Sequence, residues 1–187
     1  MQGYFAIATM ALLPIMVMSR AVIMRRKGIK AIRFGEMDKK DFLIPPFALV
    51  YFYIILSNTL NLPQFGFKLF DSEILSWLGV TLCVFGLLLF LSALISFGMS
   101  FRVGIDEDHP GPLVTSGAFA ISRNPIYTAF ALVLIGIFLI FQDALLLLYL
   151  IVGLWLFNRQ VLREEASLKK IYGEEYMKYC KKVRRYL

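Results

Sequence analysis

Two short stretches carry the polar side chains whose types and spacing suit chemistry in an otherwise apolar chain: Ser122-Arg123-Asn124-Pro125-Ile126-Tyr127, and Arg159 to Leu168 with Glu164-Glu165 inside it. In the first, a polar connector meets a long apolar run through Asn-Pro, residue types that mark a helix start, because Asn can cap and Pro fits the first helical position. Such a start offers unpaired N–H groups and the positive end of the helix dipole to whatever binds there, and it reads as half of a cofactor site. In the second, Glu164 shares an ideal helical face with Gln160 and Leu168, while Glu165 lies about a turn beyond Leu162 and beside Lys169. An exposed Glu165 to Lys169 pair with a solvated Glu164 is the plain account of these acids. Their position argues for a ligand instead: an anionic membrane surface favours bases, and two adjacent acids where a helix leaves the membrane do not serve anchoring.

Other chemistries are poorly supplied. His109 is the only histidine, Cys83 lies in an apolar run and Cys180 in a basic tail, so there is no CxxC motif, no disulfide framework and no expected metal site. His109, between Asp108 and Pro110, reads as part of a loop. Asp106-Glu107-Asp108 is either solvated or holds a ribose hydroxyl or a cationic acceptor. The chain is 59% hydrophobic and only 18% charged, with mean hydropathy +0.70, far from the roughly 45–50% apolar content of soluble domains. This is the composition of an all-α integral membrane protein with one domain over 1–187. The net charge of +7 then marks a cytoplasmic face and its anionic lipids rather than nucleic acid.

Five transmembrane helices are expected to position the polar stretches, at about 3–19, 42–62, 74–97, 125–141 and 144–158. The first, with Pro14 inside it, carries no leading basic segment or cleavage site and reads as a retained span. Gly79, Cys83, Gly86 and Ala93 fall near one face of the third, where small residues let another helix approach closely. The fourth and fifth form a C-terminal helical hairpin through a tight turn at Gln142-Asp143. Beyond Asn158 the fifth helix continues as an amphipathic tail, which Gly173 divides in two. Between Arg20 and Asp41 there are eight basic residues and after Asn158 nine, against one between Asn61 and Glu73. The amino end is therefore outside and the carboxyl end cytoplasmic. The connector 98–124 and the tail then lie on one side and can meet.

Leu113-Val114, Gly117, Arg123-Asn124-Pro125-x-Tyr127, Glu164-Glu165-x-x-Leu168 and Tyr172-Gly173-x-Glu175-Tyr176-x-x-Tyr179 together resemble the isoprenylcysteine carboxyl methyltransferase and phospholipid methyltransferase superfamily. Order, spacing and the intervening hairpin carry the resemblance, over roughly the last ninety residues. Asn124 stands where that superfamily usually has His, and Ala129 where it has Gly; Asn keeps a hydrogen-bonding side chain but cannot titrate near neutral pH.

The resemblance implies a methyltransferase that holds S-adenosylmethionine at the cytoplasmic end of the hairpin, in a cofactor module spanning 98–187. It implies a cofactor site of Leu113, Val114, Gly117, Phe119, Arg123, Asn124, Pro125, Tyr127, Glu164 and Glu165, with Arg159 and Glu164 as candidates for positioning. In that site Glu164 or Glu165 pairs with the ammonium of the cofactor. Arg159, Arg123 or the first N–H groups of the fourth helix take its carboxylate, and Tyr127 and Phe119 meet the adenine or the sulfonium. Arg159 and Glu164 do not share an ideal helical face, so joint contact with one ligand requires a bend near Val161. The implied acceptor is a lipophilic small molecule or lipid entering from the bilayer: an isoprenylcysteine-type carboxylate, a phospholipid amine or a thiol. Two rival readings are an NADPH-dependent membrane reductase of sterol-reductase-like topology, and a non-catalytic membrane subunit.

Overall fold

The computed structural model describes residues 1–26, 44–63, 65–98 and 111–187. Most of the first basic loop, together with Arg102, Asp106, Glu107, Asp108 and His109, lies outside the described residues. Among the described residues five helices make up the fold: α1 (Gln2–Arg26), α2 (Ile44–Leu60), α3 (Glu73–Ser96), α4 (Pro125–Phe141) and α5 (Ala144–Lys182), with a 3-10 turn at Gly117–Ala120 before α4. Among the described residues there is no strand. α1, α3 and α5 have the length and apolar composition to cross a membrane, and α2 and α4 are shorter apolar helices. The protein is an all-helical integral membrane protein. Large side chains such as Ile74, Phe85, Ile95 and Ile151 stand more than half exposed on the helix surfaces, where lipid takes the place of a protein partner.

The densest packing joins α3 to α4. The small face anticipated on α3 is where they cross: Gly79, Cys83, Gly86 and Ala93 are all buried. A Cβ added at Gly79 would collide with the Gly136 carbonyl oxygen, and one at Gly136 would lie 2.6 Å from that of Gly79. Only backbone fits between them.

At one end of this pair the chain is pinned. Gln142 closes α4 in the left-handed conformation (φ 55) and Asp143 caps α5 by accepting from the Leu145 and Leu146 N–H groups. The Gln142 side chain is fully buried. Its Nε2 donates to the Ser72 carbonyl at 2.8 Å and to Ser76 Oγ at 3.1 Å, and its Oε1 accepts from the Ser72 N–H at 2.8 Å. The start of α3 is thereby tied to the α4–α5 turn.

At the other end, Arg20 of α1 donates to the Gly98 carbonyl beyond α3, and Phe97 meets Phe119 edge-on at 4.7 Å. The basic end of α1, the end of α3 and the start of α4 therefore share one side. α5 runs helical through Val161, which is fully buried, so the bend that joint contact by Arg159 and Glu164 requires is absent. The break comes at Gly173 (φ 52, ψ −120), as its sequence position implied. Beyond it the chain does not simply continue outward. Tyr176 and Tyr179 are buried, and Ser122 and Arg184 form a parallel bridge.

Candidate active site at the start of α4

The connector is shaped before it reaches α4. Gly117 has φ +63 and sits so closely against α3 that a Cβ there would collide with Ser96 Oγ. Ser96 Oγ accepts from the Ala118 N–H at 3.0 Å. Phe119 is thereby set into the interior, and its carbonyl accepts from Tyr179 Oη at 2.6 Å. Leu113 and Val114, half-buried, lead into this turn. Burial pushes the Tyr179 phenol up to about 12, so it remains a donor at neutral pH.

Pro125 occupies the first turn of α4 and Asn124 its cap position, as the Asn-Pro pair implied. The Asn124 side chain, however, makes no capping bond. Its Nδ2 donates instead to Glu165 Oε1 at 3.0 Å and to the Arg185 carbonyl at 3.1 Å. Ser122, fully buried, accepts from the Asn124 N–H at 3.1 Å and donates to the Arg185 carbonyl at 3.2 Å. The start of α4, the exit of α5 and the last residues of the chain meet at one point.

The two adjacent acids have different surroundings. Glu165 is nearly enclosed and carries two cations: Arg123 Nη2 lies 3.4 Å from its Oε1, and Arg185 Nη2 lies 2.9 Å from its Oε2. Arg185 Nε also donates to Oε2, at 3.0 Å, and this hydrogen bond raises the guanidinium of Arg185 above its ordinary pKa. The simple Glu165 to Lys169 pair is replaced by this cluster. Glu164 Oε1 accepts from Tyr127 Oη at 2.5 Å and from Gln160 Nε2 at 3.1 Å. Both donors are neutral, so among the described residues the Glu164 charge has no ion-pair partner. Arg123 Nε and Tyr176 Oη are buried without a hydrogen-bond partner among the described residues.

Tyr127 continues inward as an aromatic row, 5.9 Å from Phe157, which is 5.8 Å from Phe130. Arg159 is not brought into this cluster. It is exposed, with its guanidinium 5.8 Å over the Trp155 ring. Sequence reasoning missed Ser122 as an organiser and missed Arg185 altogether. The only signal for Arg185 was its distance beyond the Gly173 break, which gives the chain enough length to return.

The cluster gathers a carboxylate held only by neutral donors, Glu164, and a guanidinium whose buried Nε has no hydrogen-bond partner among the described residues, Arg123. The phospholipid methyltransferase family model matches residues 74–175. The chain belongs to the phospholipid methyltransferase family. That match runs from the start of α3 past the Gly173 break and takes in Arg123, Asn124, Tyr127, Glu164 and Glu165. Among family relatives, the protein-S-isoprenylcysteine O-methyltransferase B of Arabidopsis thaliana is 29% identical over 108 residues, covering 56% of this chain and 55% of that protein. The protein-S-isoprenylcysteine O-methyltransferase of Schizosaccharomyces pombe is 32% identical over 133 residues, 67% of this chain and 54% of that one. Its Homo sapiens counterpart is 32% identical over 115 residues, 58% and 40%. The chain spans about half the length of the curated relatives it matches. Its fold is that of the eukaryotic intramembrane Ras methyltransferase, isoprenylcysteine carboxyl methyltransferase, with a TM-score of 0.62 at 21% identity over 88% of this chain and 58% of that structure.

Proposed function

We propose that this protein transfers a methyl group from S-adenosylmethionine to a membrane-partitioned acceptor, an isoprenylcysteine-type carboxylate being the first choice. The observation that carries the reading is that two incompletely neutralised charges of opposite sign gather around the start of α4: Glu164, held only by the neutral donors Tyr127 and Gln160, and Arg123 with its buried, unpartnered Nε. The donor set fits a zwitterionic head with a sulfonium. Glu164 holds the ammonium, and Arg123 takes the carboxylate. Tyr127 presents an aromatic face to the cation. Leu113, Val114, Gly117 and Phe119 form the approach along the connector, and Asn124 and Pro125 fix its exit. Glu165, already shared by two arginines and Asn124, holds the framework together rather than the ligand. Arg159, exposed on Trp155, acts at the rim.

When bound, the donor supplies an activated methyl: the acceptor oxygen forms the new C–O bond as the C–S electron pair returns to sulfur, and no proton moves. The residues around it need only align the partners and exclude water, which orientation alone can make worth several kcal/mol, up to roughly 7–11. Asn124 in place of an imidazole fits this, because a carboxylate acceptor requires no base, whereas an ammonium acceptor would first have to lose a proton. The aromatic row of Tyr127, Phe157 and Phe130 gives the acceptor an apolar wall reaching into the bilayer. In this reading the chain has five spans with its amino end outside, and the cluster belongs to the cytoplasmic face. The Arg20 to Gly98 contact supports this by putting the basic end of α1 on the same side.

The test is label transfer. Protein in lipid nanodiscs, incubated with methyl-labelled S-adenosylmethionine and either farnesylcysteine or phosphatidylethanolamine, is expected to label farnesylcysteine as a base-labile ester. Label on the phospholipid amine instead would move the acceptor. No label, together with no binding of S-adenosylhomocysteine and with binding of NADPH, would replace the reading by the reductase one.

A further inference from the structure

Two arginines share one carboxylate at the start of α4, and the second comes from the far end of the sequence. Arg185 places both Nε and Nη2 on the same oxygen of Glu165, Oε2, at 3.0 and 2.9 Å. Arg123 is left with the other oxygen, at 3.4 Å, and shares it with Asn124 Nδ2 at 3.0 Å. A guanidinium and a carboxylate left alone close two parallel N–H···O bonds. Here Arg185 holds Oε2 and Asn124 shares Oε1, so Arg123 does not close a second bond on Glu165, and its Nε stays buried and unpartnered among the described residues. Two positive charges against one negative leave a net positive edge at Arg123. The Arg123 side chain is only 12% exposed, so water does little to screen that charge.

We propose that Arg185 is a positioning residue of the donor site: by holding Oε2 of Glu165 it keeps that carboxylate from closing on Arg123, so that Arg123 Nε is left unpaired for the carboxylate of the donor. The inference rests on the methyl-donor reading above. The placement of Arg185 does not depend on its own side chain. The Arg123 N–H donates to the Arg184 carbonyl at 2.9 Å, and Ser122 Oγ and Asn124 Nδ2 both donate to the Arg185 carbonyl. Truncating the side chain therefore leaves the segment docked and changes only who holds Glu165.

The experiment compares two ligands that differ by one carboxylate, S-adenosylhomocysteine and its decarboxylated analogue, 5′-(3-aminopropylthio)-5′-deoxyadenosine, titrated calorimetrically against the full chain in nanodiscs. Arg185→Ala is expected to weaken S-adenosylhomocysteine by about tenfold, one lost charge-assisted contact, and to leave the decarboxylated analogue within about twofold. Arg123→Ala should erase the same discrimination, the double variant should lose no more than Arg123→Ala alone, and Arg185→Lys should restore part of it. Equal loss of both ligands in Arg185→Ala would show that the segment only props up the fold and would overturn the inference. Undiminished preference for the carboxylate would overturn it too. If the wild-type protein bound neither ligand, the methyl-donor reading itself would fall, and the two failures are told apart by that control.

Discussion

At Glu164 and Glu165 one peptide bond separates two acids with different partners, and their substitutions should separate as well. Glu165→Gln removes the charge that Arg123 and Arg185 share and leaves two partly buried cations facing each other. Thermal unfolding in detergent should show a loss of about 3 kcal/mol. Glu164→Gln keeps an oxygen for Tyr127 and Gln160 and should cost less than about 1 kcal/mol of stability. The same variant should weaken S-adenosylhomocysteine more than about tenfold in a calorimetric titration. A stability loss in Glu164→Gln larger than in Glu165→Gln would reverse the assignment. Tyr179 adds a pH dependence. Its phenol is raised from 10.0 to about 12, first by burial, so the folded state favours the protonated form. Its contribution is complete below the unfolded value near 10 and is lost as pH rises through about 12. Unfolding midpoints between these values should fall less steeply in Tyr179→Phe than in the wild type.

The elements meet through two glycine-dependent features. The α3–α4 crossing at Gly79 and Gly136 leaves no room for a side chain, and Gly136→Ala should lower stability by about 1–3 kcal/mol with the unfolding midpoint as the measure. Gly173 adopts φ 52, ψ −120, a region that side chains avoid. Gly173→Ala should cost about 1–3 kcal/mol, and its readout is faster proteolysis after Lys178 as the folded-back arm loosens. Both features were legible in the residues. Small residues at helical spacing open a helix face to a neighbouring backbone, and a glycine between two amphipathic stretches weakens the helix at that point. The Asn-Pro start and the Gln142-Asp143 turn were legible because they too depend on local residue types. The destination of the arm was not. Pairing of Ser122 with Arg184 and of Glu165 with Arg185 is set by where Tyr176 and Tyr179 bury, a long-range matter that leaves no period in the sequence. For the same reason Asn124 looked like a cap: its alternative partners lie 41 and 61 residues away. Helical spacing likewise placed Lys169 beside Glu165 without revealing that two arginines already held it.

For the whole molecule, the topology has one direct test. With Cys83 and Cys180 replaced by Ala, the Lys178→Cys variant should react with a membrane-impermeant maleimide only from the cytoplasmic side, and Phe70→Cys only from the opposite side. Reversed labelling would turn the protein over in the bilayer and put the cluster at the opposite face. The buried Gln142 amide, stitched to Ser72 and Ser76, bears on motion at this scale. With that end of α3, α4 and α5 tied together, a pivot there would make any widening between α4 and α5 grow with distance from Gln142, toward Arg123 and Glu164.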